Sequence, residues 1–332
     1  MSASLLDWRV VVEEANRRRR AEGLTQRDLA ALAGVSAPTV GSFERGDTRL
    51  RLDKVFDILG ALGLVAAGAA AGGQESFVQA AARRWNELVA PLAEGDPSRL
   101  PFGSITYDYE LIGDTEQLTL KNLLATLREA DQGETGWPPF WIASRDRIRP
   151  YNQDGTVECW QGVPEPERSK DPSQADFWRV SPTGRAFLRR GLDEDGHNVL
   201  APGSIFDLTL PVWRTAEVLL HGRRLARLWP GSVDKIAFRV RYTGLAGREL
   251  ASWAKPIRRH LAPGQWRART DDVSSSATLS IDALENTLEP ALSELLAPVY
   301  ARFNGFTIAP ELVADELAEL LLAGDRKRGQ RG

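Results

Sequence analysis

The chain has one cysteine, Cys159, and three histidines, at 197, 221 and 260, in 332 residues. A single cysteine excludes an intramolecular disulfide framework, and histidines this far apart leave no zinc-binding spacing, so no metal and no cofactor is expected. No basic-then-apolar leader is visible. The longest apolar stretch, residues 59–73, is too short and too rich in alanine and glycine for a bilayer core that takes about 20 residues, so no membrane partner is expected. Also missing are a glycine-rich phosphate loop, a GxSxG elbow and an HExxH helix, the commonest short signatures of catalysis. What is present is 42% apolar residues, enough for two or three packed domains, and a net charge of only −3.

The most informative stretch is LTQRDLAALAGVSAPTVGSFERG, residues 24–46. Thr25 is placed to cap a short helix, and Asp28 three residues on to reach back, a capping box with Asp in place of Glu. Leu24 and Leu29 form the hydrophobic staple across that cap. The grammar repeats at Ser36, with Pro38 in the first turn and Val35 and Val40 as the second staple. Gly34 between the helices supplies the left-handed backbone of a sharp turn. Ala30 and Ala33 let the helices cross closely, and Leu29, Val40 and Phe43 fill the seam, the geometry of a helix-turn-helix.

With Gln26, Ala30, Gly34, Val35, Val40, Phe43 and the closing Glu44, Arg45 and Gly46, the run resembles the Cro/repressor type of helix-turn-helix in bacterial XRE-like regulators. The resemblance covers residues 4–64. Residues 51–64, with Leu52, Val55, Phe56, Leu59 and Leu62 at helical spacing, are similar to the closing helix of that domain, and Leu5, Leu6, Trp8, Val12 and Ala15 suggest its first helix. It implies base contacts from Ser36, Ala37, Thr39 and Ser42. It implies phosphate contacts from Gln26, Arg27, Arg45 and Arg49, the last two being otherwise solvated surface arginines. Gly41 departs from the pattern. It stands where the exposed face of the second helix is expected, either as a tolerated defect or as a point of close backbone approach to DNA, and costs about 1 kcal/mol of helix propensity.

Residues 1–64 carry ten Lys plus Arg against nine Asp plus Glu, a net of +1. Affinity for DNA therefore has to come from local charge, such as Arg17 to Arg20 with Arg27, Arg45, Arg49 and Arg51.

The fold expected is an all-α N-terminal helix-turn-helix domain of roughly five helices followed by a larger α+β domain with a mixed or antiparallel sheet. The boundaries are 1–64 for the first domain, 65–103 for an Ala/Gly linker, a helix and a turn-rich stretch, 104–324 for the second domain, and 325–332 for a basic disordered tail. The helix at 74–93 serves dimerisation or the second core. In the second domain, strands are expected at 104–113, 204–210 and 235–242, a hairpin at 151–160 turning at Asp154 and Gly155, and two strands within 265–281. Helices are expected at 116–130, about 212–229, 283–302 and 310–323. Eight of the ten tryptophans fall there, as core or interface residues or as the lining of an aromatic pocket. Four strings, at 135–141, 175–182, 206–214 and 242–248, carry a limited resemblance to a region appended to Schlafen/AlbA-like bacterial proteins. It implies no activity and no site residue.

These features are expected to make a dimeric regulator of transcription, a repressor on a palindromic operator such as its own promoter, with no catalytic residues. Double-stranded DNA and a second copy are the expected partners, a small molecule or protein binds the second domain, and the location is the cytoplasmic nucleoid. The alternatives are an enzyme targeted to DNA, with Asp207, Arg214, Glu217 and His221 as a small nuclease or hydrolase group, and an antitoxin-like autoregulator. Cys159 is a candidate redox sensor only against an acidic neighbour, Glu158, that opposes thiolate formation.

Overall fold

Thr25 and Ser36, the two hydroxyls placed to begin helices, both do so. In the computed structural model, residues 8–64, 73–145, 147–162, 171–196 and 200–329 are described. Four helices come first: α1 (Trp8–Ala21), α2 (Gln26–Ala33), α3 (Ala37–Glu44) and α4 (Leu52–Ala61). Their shared core holds Val12, Ala15, Leu29, Ala30, Val40, Phe43, Val55, Ile58 and Leu59, all buried. Trp8 packs edge-on against Phe43 and donates its indole N–H to Gly46 O at 3.1 Å, closing α1 over the end of α3. Leu52 and Phe56 of α4, expected on its buried face, are exposed at 67% and 46%. Val55, Ile58, Leu59 and Leu62 form that face instead, because Ile58 shifts the apolar stripe by part of a turn. Leu5, Leu6 and linker residues 65–72 lie outside the described residues.

Helix α5 (Gln74–Val89) belongs to the second domain. Phe77, Ala81, Trp85 and Val89 recur every three or four residues and form a separate small core with Trp160, Phe177 and Phe187. The sheet they cover has seven strands, all antiparallel: β1 (Ser104–Thr115), β2 (Tyr151–Gln153), β3 (Thr156–Trp160), β4 (Phe177–Val180), β5 (Arg185–Arg190), β7 (Gly231–Thr243) and β9 (Val273–Ser280). Their order is β2-β3-β4-β5-β1-β7-β9. The short strands β6 (Ile205–Asp207) and β8 (Glu249–Ala251) pair in parallel beside it. The β2–β3 hairpin turns at Asp154 and Gly155, with φ of 48° and 68°, the two left-handed residues of a tight hairpin.

The opposite face of the sheet packs on helices α6 (Leu120–Ala130), α7 (Leu210–Leu228), α8 (Ile281–Asn286) and α9 (Leu288–Ala301), and α10 (Pro310–Gly329) packs on α7 and α9. Helix α7 is buried along most of its length, and Tyr107 and Tyr109 of β1 reach its Thr215 and His221. Arg248 is fully buried with all five N–H donors used, on the carbonyls of Phe102, Ile205 and Gly244 and on both oxygens of Asp195. It ties four chain segments together.

Four expectations shift, the first being the helix expected over 283–302, which breaks at Thr287 into α8 and α9. Helix α6 starts at Leu120 rather than 116, because the backbone N–H groups of Glu116 and Leu118 bond to Pro230 and Pro182 and Thr119 supplies the cap. Only one strand forms within 265–281; the stretch before it makes isolated bridges at Arg267 and Ala268. Helix α10 runs on to Gly329, through the first part of the stretch expected as a disordered tail, and Lys327 bonds to the carbonyls of Gly133 and Thr135.

The two domains share a continuous apolar core. Lys121 of α6 donates to Glu22 O at 2.7 Å, and a cavity of about 170 Å³ separates Leu32, Ala33 and Gly34 from the tip of the β2–β3 hairpin.

Candidate nucleic-acid interface

Both helix starts have their capping bonds. Asp28 N donates to Thr25 Oγ1 at 3.1 Å while Thr25 N donates to Asp28 Oδ2 at 2.9 Å, the reciprocal capping box. These bonds hold the Asp28 carboxyl below its ordinary range. At α3, Thr39 N donates to Ser36 Oγ at 3.3 Å and the two hydroxyls share a hydrogen bond of 2.7 Å. Gly34 has φ 62° and ψ 30°, and its N–H caps the end of α2. Leu24 and Leu29 are buried across the first cap, and Val40 with the half-buried Val35 across the second.

Ser36 is exposed, Thr39 and Ser42 are half-buried, and all three lie on the outer side of α3. Ala37 is half-buried and packs against the core, so its methyl serves the fold as well as the surface. Ser42 Oγ accepts from Arg45 Nη2 at 3.0 Å. The arrangement presents a short row of hydroxyls on one edge of a helix, the type of group that donates to or accepts from base edges.

Of the expected phosphate ligands, Gln26, Arg27, Arg45 and Arg49 are all exposed. Arg49 is paired with Asp47, which keeps that carboxyl below its ordinary range. Gln26 Nε2 donates to Glu44 Oε2 at 2.7 Å. The run Arg17 to Arg20 does not form an open cationic face: Arg17 pairs with Glu14, Arg18 with Glu22 and Arg19 with Glu44.

Gly41 is buried, not exposed. A Cβ there would meet Arg45 Nη1 at 3.3 Å and Gln26 Oε1 at 3.8 Å. Those two side chains lie over the glycine, so its absent side chain leaves room for them.

Sequence reasoning missed Arg19 as a structural residue. Its guanidinium reaches both oxygens of Glu44 and donates to Leu24 O at 2.8 Å, with 13% and 10% exposure of the two side chains. Arg19 thereby joins α1, the α2 entry and the end of α3, and Glu44 in turn holds Gln26. Nothing in a pair 25 residues apart signals this contact in the sequence.

In the second domain the acids and histidine considered for catalysis point into separate buried networks. Asp207 accepts five hydrogen bonds, from Thr209 N and Oγ1, Leu210 N, Trp253 N and Ala254 N, at 2.7–2.9 Å. It fastens the start of α7. Glu217 is buried on Thr135 and Arg214, whose other partner is Asp193. His221 stacks on Phe140 at 4.6 Å and meets Tyr109 OH, and burial drives its pKa down to about 3. Cys159 is buried with its thiol donating to Ile148 O, and burial pushes it up to about 12. The eight tryptophans of this domain are buried or half-buried. Among the described residues no group of three or more His, Cys, Asp or Glu is placed to hold a metal ion, and no helix is long and apolar enough to cross a membrane.

Residues 16–66 match the family model described as helix-turn-helix. This part of the chain is an XRE-type helix-turn-helix, the DNA-binding unit of regulators of transcription. No curated protein and no solved structure matches the chain, and the resemblance noted for the second domain has no support from these comparisons.

Proposed function

We propose that the protein is a sequence-specific regulator of transcription that binds a palindromic operator as a dimer, represses by occluding a promoter such as its own, and receives its signal through residues 104–324. The observation that carries this reading is the hydroxyl-bearing edge of α3, Ser36, Thr39 and Ser42, set at a capped helix start beside Gln26 and Arg45. Ser36, Ala37, Thr39 and Ser42 read bases, while Gln26, Arg27, Arg45 and Arg49 hold phosphates. For this, Gln26 leaves Glu44, which keeps its pair with Arg19, and the exposed Arg49 leaves Asp47. Two recognition helices about 34 Å apart match successive major grooves, and pairing supplies the base contacts that one module lacks.

Genome-wide footprinting of the purified protein tests the reading. Thr39→Ala is expected to weaken operator binding by roughly 1–3 kcal/mol and relax preference at one position. Gln26→Ala is expected to weaken binding evenly across sequences. Unchanged operator preference in Thr39→Ala removes Thr39 from the base-reading set, and an altered preference in Gln26→Ala contradicts a phosphate role.

A further inference from the structure

Helix α5 covers only part of its face of the sheet, and the strands beyond it present a cross-strand row of polar side chains. The register pairs Phe177 with Arg189, Arg189 with Thr106, Thr106 with Arg241, and Arg241 with Ser274. Arg189 and Arg241 thus flank Thr106, with backbones roughly 10 Å apart at the usual strand spacing, close enough for two arginine arms to converge above it.

Arg189 differs from the other arginines of this face. Arg239 is paired with Asp108 at 2.8 Å, Arg185 with Glu110 at 2.9 Å and Arg179 with Glu158 at 3.0 Å. Among the described residues Arg189 has no carboxylate: its guanidinium lies 4.8 Å from the centre of the Trp85 ring, and its Nε is buried without a hydrogen-bond partner. Burial, together with the like charge of Arg241, lowers Arg189 to about 10. Arg241 is paired with Asp272, both side chains being 55% exposed. Such a pair yields readily to a better anion. A half-buried cation beside another cation is stabilised by a counter-charge, and the planar fork of arginine fits the oxygens of a phosphate.

We propose that Arg189, Thr106 and Arg241 form a phosphate-binding site on the outer face of the sheet, with the two guanidinium groups gripping the oxygens and the Thr106 hydroxyl donating between them. Along the next cross-strand row lies an open groove of about 390 Å³ beside Asp108, Arg239, Ser276 and Thr278. It has room and hydrogen-bonding groups for the remainder of a phosphorylated small molecule. The site does not depend on the helix-turn-helix, and its test is independent of operator binding.

The test is calorimetric titration of the full chain with diphosphate, in parallel with binding of a duplex of arbitrary sequence. Diphosphate is expected to bind, and Arg241→Gln, a change at an exposed position, to weaken it at least tenfold with the melting temperature held. Arg189→Lys is expected to retain more binding than Arg189→Gln, because charge remains while the fork is lost. If Arg189→Gln fails to fold, Arg241→Gln alone decides. Loss of diphosphate binding with duplex binding intact assigns the site to a small phosphorylated ligand, and parallel loss of both assigns the same chemistry to a nucleic-acid backbone. No diphosphate binding by the unmodified chain, or unchanged binding by Arg241→Gln, overturns the proposal.

Discussion

Single buried groups set the protein's response to pH and to thiol reagents. His221 has its pKa lowered to about 3 by burial. Between that value and its ordinary 6.5 the unfolded chain binds the proton and the folded chain does not, so stability falls as pH drops from 6.5 toward 3. Glu194 works in the opposite sense. Burial, with Asp193 and Asp207 nearby, raises it to about 8 from an ordinary 4.5, so the folded chain keeps a proton that the unfolded chain releases. Its contribution is complete below 4.5 and is lost as pH rises through 8. Glu194→Gln should therefore flatten the decline in urea midpoint between pH 5 and 8.5 relative to the unmodified protein; parallel declines in the two would speak against this assignment. Cys159, with its thiol buried and raised to about 12, should resist alkylation at pH 8 until the chain is unfolded. Rapid labelling of the native protein would restore the redox-sensor reading.

Among the elements, the α2–α3 hairpin was the most legible. Its caps, staples and turn glycine act over three to five residues, so the sequence displays every partner at once. Gly34 gives a clean test, since its φ is 62° and nothing stands within 4 Å of a Cβ there. Gly34→Val should destabilise the N-terminal domain by about 1–2 kcal/mol through backbone strain alone, with Gly34→Asn milder; equal urea midpoints for the two would disprove the strain argument. The hairpin at Asp154 and Gly155 was legible for the same local reason. Less legible were the start of α6, displaced by backbone bonds to Pro182 and Pro230, and the extent of α10, held by Lys327 against the loop at 133–135. Those partners are between 64 and 194 residues away, beyond the reach of any periodicity.

Over the whole molecule, weak net charge makes the DNA-binding reading quantitative. Arg17, Arg18 and Arg19 of α1 are paired to carboxylates, so the proposed phosphate contacts are those of Arg27, Arg45 and Arg49 with Gln26. In the proposed dimer, three arginines on each protomer are expected to give a slope of log affinity against log salt of about −5. A slope near −10 would require cations beyond these, and a slope near zero would remove the phosphate contacts. The shared core and the Lys121 bond to Glu22 make the two domains contiguous, the physical connection that the proposed signal from residues 104–324 would use.

The sequence by itself determined the DNA-binding unit, because a cap, a staple and a left-handed glycine are short-range devices whose residues must sit at fixed offsets. It also determined the α+β class of the second domain, though not the strands β4 and β5. Tertiary structure alone decided that Arg19 is a strut to Glu44 rather than part of an open basic face. Tertiary structure also showed that Asp207, Glu217 and His221 lie in separate buried networks, and that Arg189, Thr106 and Arg241 share one row. Antiparallel register aligns side chains from strands more than 50 residues apart in the chain, and burial decides which charges remain available; neither is written in the spacing of neighbouring residues.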